Sequence, residues 1–349
     1  MLFLQLQQST HRSTLMDSVK DSTAFRVGPK VAANEKLQQD EPVILFPTTP
    51  TDNHVFLLGR PPLAEFLGFI TTQMVGGNEA DVGSLAAEWR AANEHIEELK
   101  MSEPGAARAA GLEPLPSPLA PIAEEVQQTQ VYRRSFGIMP SEIAMLDLDS
   151  LVVFQKQINL RYVAELQSRL GESPSDQQLF EFCIPAGHEN PQVRATRSGP
   201  NQWVFVSPST DFRMLGAELI DPQAINQPVS SGYPSAVLGV VVGYGSNFLS
   251  AVASHGRMVL NNGSHRAYAL RELGITRVPA VVQHVQSKEE LTIVSSGDLT
   301  ANPDRYLADI RPPLLRDYFD PALRKIVAVE RHARQVRIQF AQEQLDVPG

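Results

Sequence analysis

The residues best suited to chemistry lie together in Met258–Val282, where Leu260-Asn261-Asn262-Gly263-Ser264-His265-Arg266 runs from an apolar stretch into a helix-forming one. Asn-Asn-Gly favours a tight turn, and Gly263 tolerates a positive φ and lets a ligand approach the backbone. Ser264 is a good N-cap, so His265 and Arg266 should fall in the first helical turn. There they would stand beside unpaired backbone N–H groups and the positive end of the helix dipole, a ready site for phosphate or carboxylate. Arg266 could grip two oxygens at once, and His265 could donate a hydrogen bond or carry a proton. Asn262, Gly263, Ser264, His265 and Arg266 are therefore the candidate ligand-binding residues, with His265 and Arg266 as the candidate catalytic pair. A plain helix start, with Arg266 bridging to an acidic neighbour, accounts for the same residues and stays open.

The elements that must hold this turn can be read on either side of it. A strand ends at Leu260; the helix packs through Ala269, Leu270 and Leu273 and stops at Gly274; Val278-Pro279 then opens a returning strand. Asn247–Ala253 and Arg257–Leu260 read as a hairpin around Ser254-His255-Gly256. Upstream, Leu146–Asp149 leads to Gln155 and Gln157, and Asn159 can cap a helix carrying Tyr162, Val163, Leu166 and Leu170 to Gly171. Trp203–Val206 and Val237–Val242 look like buried strands. Gly243-Tyr244-Gly245-Ser246-Asn247 lies between strands, and reads as a hairpin or a lid rather than a phosphate loop.

With its following helix and Val-Pro strand, Gly263-Ser264-His265-Arg266 resembles the ParB/sulfiredoxin-like superfamily of nucleotide-binding and DNA-partitioning proteins, and Leu148–Leu170 looks like that fold's opening strand, Gln loop and helix. The resemblance covers about residues 145–285, and the Gly-x-His-Arg form is closest to the small-molecule members. It implies a mixed sheet with helices, a nucleotide phosphate on Asn262–Arg266, and Mg²⁺ arriving with the nucleotide, as for a nucleotide-dependent transferase or hydrolase acting on ATP, ADP or CTP. Two departures narrow it. Ser264 stands where sulfiredoxin has its catalytic Cys, and no helix-turn-helix follows Val285. A free-serine kinase of this fold would also need a carboxylate base, for which Asp211, Glu218 and Asp221 are candidates that no motif selects.

Composition bounds the rest. The 349 residues carry a net charge of −9 and one cysteine, Cys183, which excludes an intrachain disulfide framework and makes non-specific DNA binding a poor expectation. No apolar run approaches the ~20 residues of a membrane span, and the N-terminus lacks the pattern of a signal peptide, so a cytoplasmic protein without a membrane partner is expected. The expected fold class is α+β: a loose arm over 1–40, an accessory α/β region with a Pro-rich linker over 41–144, the ParB/sulfiredoxin-like domain over 145–285, and a C-terminal helical extension over 286–349. In the accessory region, Val43–Phe46 and His54–Leu58 could pair as strands, Asp81–Lys100 has helical periodicity, and Pro114–Pro121 should wrap as a loop or linker.

In the extension, Pro321–Gln344 reads as a helix carrying Arg324-Lys325 and Arg331–Arg337, a basic run that could meet nucleic acid, an acidic partner or another copy in a homo-oligomer. A DNA-associated or regulatory binding protein is thus the alternative to an enzyme. A third reading makes the chain a haem- or metal-dependent degradative enzyme through His255, His265 and His284, which fall on neighbouring elements.

Overall fold

The computed structural model describes residues 50–108, 112–185, 191–209, 212–224, 234–331 and 333–344. The arm over 1–40, the apolar run Val43–Phe46 and Asp211 lie outside the described residues.

Along the chain come β1 (Thr51–Leu57), α1 (Leu63–Gln73), α2 (Val82–Ser102), α3 (Ala120–Gln128), α4 (Gln130–Phe136), β2 (Ser141–Asp147) and β3 (Gln157–Asn159). There follow α5 (Leu160–Leu170), α6 (Asp176–Cys183), β4 (Arg194–Gly199), β5 (Gln202–Ser207), β6 (Arg213–Ile220), β7 (Val237–Gly243), β8 (Ser250–Ser254) and β9 (Arg257–Asn262). The last elements are α7 (Ser264–Glu272), β10 (Arg277–His284), α8 (Lys288–Val294), α9 (Asp298–Ala301), α10 (Pro303–Leu307), β11 (Arg324–Glu330) and β12 (Arg334–Gln339). The fold class is α+β, as expected.

The sheet that carries the turn is mixed, in the order β2-β10-β8-β9; β10 runs parallel to β8, and the other two pairings are antiparallel. β8 and β9 form the expected hairpin, with Ser254 opposite Arg257. α7 then crosses over to return the chain as β10. The main core lies under this crossover, where Leu249, Leu260, Ala267, Leu270 and Val281 meet Ile158, Val163 and Leu166 of the β3–α5 segment, all nearly inaccessible to water. α5 starts at the expected cap, since Asn159 Oδ1 accepts from Tyr162 N at 3.1 Å. α2 likewise starts on Asp81, whose carboxylate accepts from Gly83 N. The Pro-rich stretch is short of structure only at first: Pro121 sits in the first turn of α3, where its missing N–H costs nothing.

Two expectations fail. Pro321–Gln344 is not a helix: β11 pairs antiparallel with β1 along its whole length, from Thr51↔Glu330 to Leu57↔Arg324, and β12 pairs with β5. Val327 and Val329 are buried while Ile326 is 53% exposed, the period-2 pattern of a half-covered strand. The basic residues Arg324, Lys325, Arg334 and Arg337 are therefore spread over two strands rather than along one helical stripe. The second failure concerns the strands at 203–206 and 237–242. Both form, but Trp203 is 40% and Val241 42% exposed, because among the described residues β6 and β7 pair only with each other, and β5 sits in a separate three-stranded sheet with β4 and β12.

β1 also pairs with β3, through His54↔Asn159 and Phe56↔Gln157. Strands from before residue 144, from the central part and from the C-terminal part thus share one sheet, β11-β1-β3. Among the described residues, no helix is long and apolar enough to cross a membrane.

Candidate functional site

Gly263 takes φ 95° and serves as the N-cap of α7; Ser264, expected as the cap, is the first residue inside the helix, which therefore begins one residue earlier than the sequence suggests. The reason is steric. β9 ends against Leu249, whose Cα would lie 3.2 Å from a Cβ at position 263, so the chain turns on a residue that has none. His265 follows in the first turn, where backbone N–H groups have no helical partner.

Its partner comes from another helix. The backbone N–H of Asn159, the residue that caps α5, donates to His265 Nε2 at 3.0 Å. The N-termini of α5 and α7, both positive dipole ends, therefore meet at one imidazole. Tyr162 in the first turn of α5 stacks edge-on against the His265 ring at 5.3 Å. Because Nε2 accepts, the proton of a neutral ring lies on Nδ1. Burial, with the like charge of His54 behind it, pushes the His265 pKa down to about 4, so the ring is neutral near pH 7.

The Asn159 side chain extends this contact to β1. Its Nδ2 donates to Asp52 Oδ2 at 3.0 Å, and Asp52 Oδ1 accepts from Arg161 Nε and from Arg331 Nη2, each at 2.8 Å. Burial on its own would raise the Asp52 pKa; the bonds from Arg331, Asn159 and Arg161 outweigh it and hold the carboxyl well below its usual range. Asp52 is 3% exposed, whereas Arg161 and Arg331 are 43% and 44% exposed and form the rim. Arg161 also pairs with Glu165 one turn along α5. His54, two residues from Asp52, places Nδ1 at 3.2 Å from Gln157 Oε1.

The other candidates take different places. Arg266 is 6% exposed, and its Nη1 donates to Phe182 O at 3.2 Å and Cys183 O at 3.0 Å, the last carbonyls of α6. It ties α7 to the C-terminal end of α6, so the direct grip on a ligand expected of it is not the role this position supports. Asn262 Nδ2 donates to Phe248 O and secures the approach to β8. Cys183, distant in sequence, is close in space, but it is fully buried, and burial pushes its thiol up to about 12 despite Arg266 nearby. Glu218 lies on β6, and Asp221 follows that strand, its carboxylate accepting from Gln223 N.

The three histidines do not converge. His255 sits in the β8–β9 turn at φ 51°, with Nδ1 near Ser254 Oγ, and His284 lies beside that end of the sheet on a bond to Glu142. His265 follows Asn262, which pairs with Ser250 at the opposite end of the hairpin. Among the described residues, no three His, Cys, Asp or Glu side chains are grouped to hold a metal ion.

Asn159 as a helix cap was legible in the sequence. Asp52, His54, Arg161 and Arg331 were not, since they reach the turn only through the pairing of β1 with β3 and β11. Compared with known protein families, with curated proteins and with solved structures, the chain finds no match.

Proposed function

We propose that this chain is a cytoplasmic enzyme that binds a phosphate-bearing small molecule, a nucleotide foremost, where the N-termini of α5 and α7 meet. One observation carries the reading: the 3.0 Å bond from Asn159 N to His265 Nε2 joins two helix starts that would otherwise be separate weak anion sites. The mixed sheet and its Gly-x-His-Arg crossover also support a ParB/sulfiredoxin-like arrangement. In this reading the N–H groups of Ser264 and His265 in the first turn of α7 receive phosphate oxygens. His265, neutral, offers Nδ1–H to the ligand as a donor, not a cation. The positive charge that Arg266 withholds is supplied by Arg161 and Arg331 at the rim.

The reaction class is transfer or hydrolysis of a phosphoryl group. Asp52 is already engaged by three donors, so Mg²⁺ would be brought by the nucleotide's own phosphates rather than by a prepared carboxylate cage. The basic residues of β11 favour the small-molecule reading over a DNA-binding one, because Lys325 is paired with Glu88 and Arg324 donates to the Tyr318 carbonyl.

Thermal melts with ATP, ADP and CTP, each with Mg²⁺, and with duplex DNA test this. A nucleotide should raise the melting temperature of the intact protein, and the rise should vanish in His265→Gln and shrink in Arg331→Gln. If no nucleotide stabilises the protein, or only DNA does, the proposal fails.

A further inference from the structure

Exposed apolar side chains gather on the ribbon formed by β6 and β7. Leu215, Leu219, Ile220, Leu238 and Val241 are all between 38% and 80% exposed. Single exposed apolar residues are ordinary; a set of them on one pair of strands marks a contact surface. They occupy both faces. Ile220 and Val241 lie on one, joined by Leu215 at the bulge, and Leu219 and Leu238 stand opposite one another on the other. A two-stranded ribbon open on both sides is marginal in water, and a further strand is what steadies it.

The two outer edges of the ribbon are unlike. Neither is paired among the described residues. The β6 edge carries Arg213 and Glu218, charges of the kind that keep an edge from adding strands. The β7 edge, Val237-Leu238-Gly239-Val240-Val241-Val242-Gly243, has no polar side chain at all. Whatever covers it must therefore be an uncharged strand with apolar side chains on both faces. β7 of a second copy meets each of those conditions.

We propose that the chain forms a two-fold dimer in which β7 pairs antiparallel with β7 of a second copy, giving a four-stranded sheet in the order β6-β7-β7-β6. The choice of a second copy rests on self-complementarity. Centred on Val240, the pairing sets Gly239 against Val241 and Gly243 against Val237, so that each glycine of one copy faces a valine of the other. The space above those glycines is already filled from β6. A Cβ added at Gly239 would overlap Ile220 Cδ1, and one at Gly243 would lie 3.1 Å from Leu215 Cδ1. Ile220 and Leu215 thus lean across β7 and carry the apolar surface onto it, where the valines of the second copy would extend it. On the other face Leu238 meets Val242 of the second copy, with Leu219 beside it. Both outer strands of the dimer are then β6, whose charges stop growth at two. No residue of the ribbon belongs to the α5–α7 junction, so the dimer stands apart from the nucleotide reading.

Sedimentation velocity of the intact protein across the micromolar range provides the test. The wild type should sediment as a dimer with no larger species. Val241→Lys places a charge on the pairing edge and should lose the dimer. Ile138→Lys adds the same charge at a residue that is 74% exposed but lies off the ribbon, and should keep it. Val240→Cys reads the pairing directly and decides the matter even if the lysine variant fails to fold. Its thiol meets its own copy across the two-fold axis, so diamide should cross-link two chains, whereas the fully buried Cys183 leaves the wild type uncross-linked. A monomeric wild type, an open series of larger species, a Val241→Lys dimer as tight as the wild type, or a Val240→Cys protein that does not cross-link would overturn the proposal.

Discussion

The Arg266 guanidinium lies 3.0 Å from the carbonyl of Cys183, 83 residues earlier in the chain. A side chain that looks like a phosphate clamp in the sequence is instead the tie between two helix ends. Its long donor fork satisfies carbonyls at the negative end of α6, where a cation is also electrostatically favoured.

Arg266→Ala should therefore act on stability before ligand binding. Removing it leaves the Phe182 and Cys183 carbonyls short of a donor in a buried setting, which costs about 2–3 kcal/mol. Urea denaturation of the wild type, Arg266→Ala and Arg266→Lys measures this, with the lysine variant recovering part of the loss. An alanine variant as stable as the wild type would show that the tie contributes little.

Asp52 should govern the acid limb of stability. Its carboxyl is held below the ordinary value of 3.8 in the native state, so its contribution is complete above that pH and is lost as the pH falls through and below it. Asp52→Asn removes the charge that Asn159, Arg161 and Arg331 all address. At neutral pH it should cost about 1–3 kcal/mol, moderated by the exposure of both arginines. Its stability should also decline less steeply in acid than that of the wild type. A parallel pair of acid-unfolding curves would assign the limb to other carboxylates.

His265 should act in a higher window. An exposed imidazole titrates near 6.5, whereas burial and the like charge of His54 bring this one to about 4. Between those values the unfolded chain takes up a proton that the native protein refuses, so stability falls as the pH drops from 6.5 toward 4. His265→Gln should flatten the curve of unfolding free energy against pH across that window. His54, whose pKa burial also lowers, keeps some of the slope. An unchanged slope would place the titrating group elsewhere.

How far the sequence could be read followed the range of the interactions. α5 was legible because its determinants are local: an Asn cap, apolar residues three and four apart, and a terminal Gly171 at φ 81°. The β8–β9 hairpin and the α7 crossover were legible for the same reason. β11 was not, because Leu323, Ile326 and Val327 satisfy a helical spacing as well as a strand, and only the pairing with β1 decides. Arg331 reaches Asp52 across 279 residues, a contact that no periodicity announces. Arg266 shows the same limit: a helix start offers a site for anions, and nothing local in the sequence announces that Nη1 meets the carbonyls at the end of α6.

Gly263 is the position at which turn, helix and site depend on one another, and it can be separated from ordinary turn glycines. Gly263 has φ 95°, and an added Cβ would lie 3.2 Å from both Cα and Cγ of Leu249. Gly274 has a similar φ of 81°, but nothing lies within 4 Å of the same added atom. Gly274→Ala should therefore cost the left-handed strain alone, about 1 kcal/mol. Gly263→Ala carries that strain plus a displacement of β9 or of the first turn of α7, and should cost about 1–3 kcal/mol more. The displacement should also loosen the bond that His265 Nε2 accepts, so the Asn159 amide should exchange with deuterium faster in Gly263→Ala and at the wild-type rate in Gly274→Ala. Equal costs for the two substitutions, with Asn159 protection unchanged in both, would mean that Leu249 yields easily and that the approach of the chain at Gly263 does not position His265.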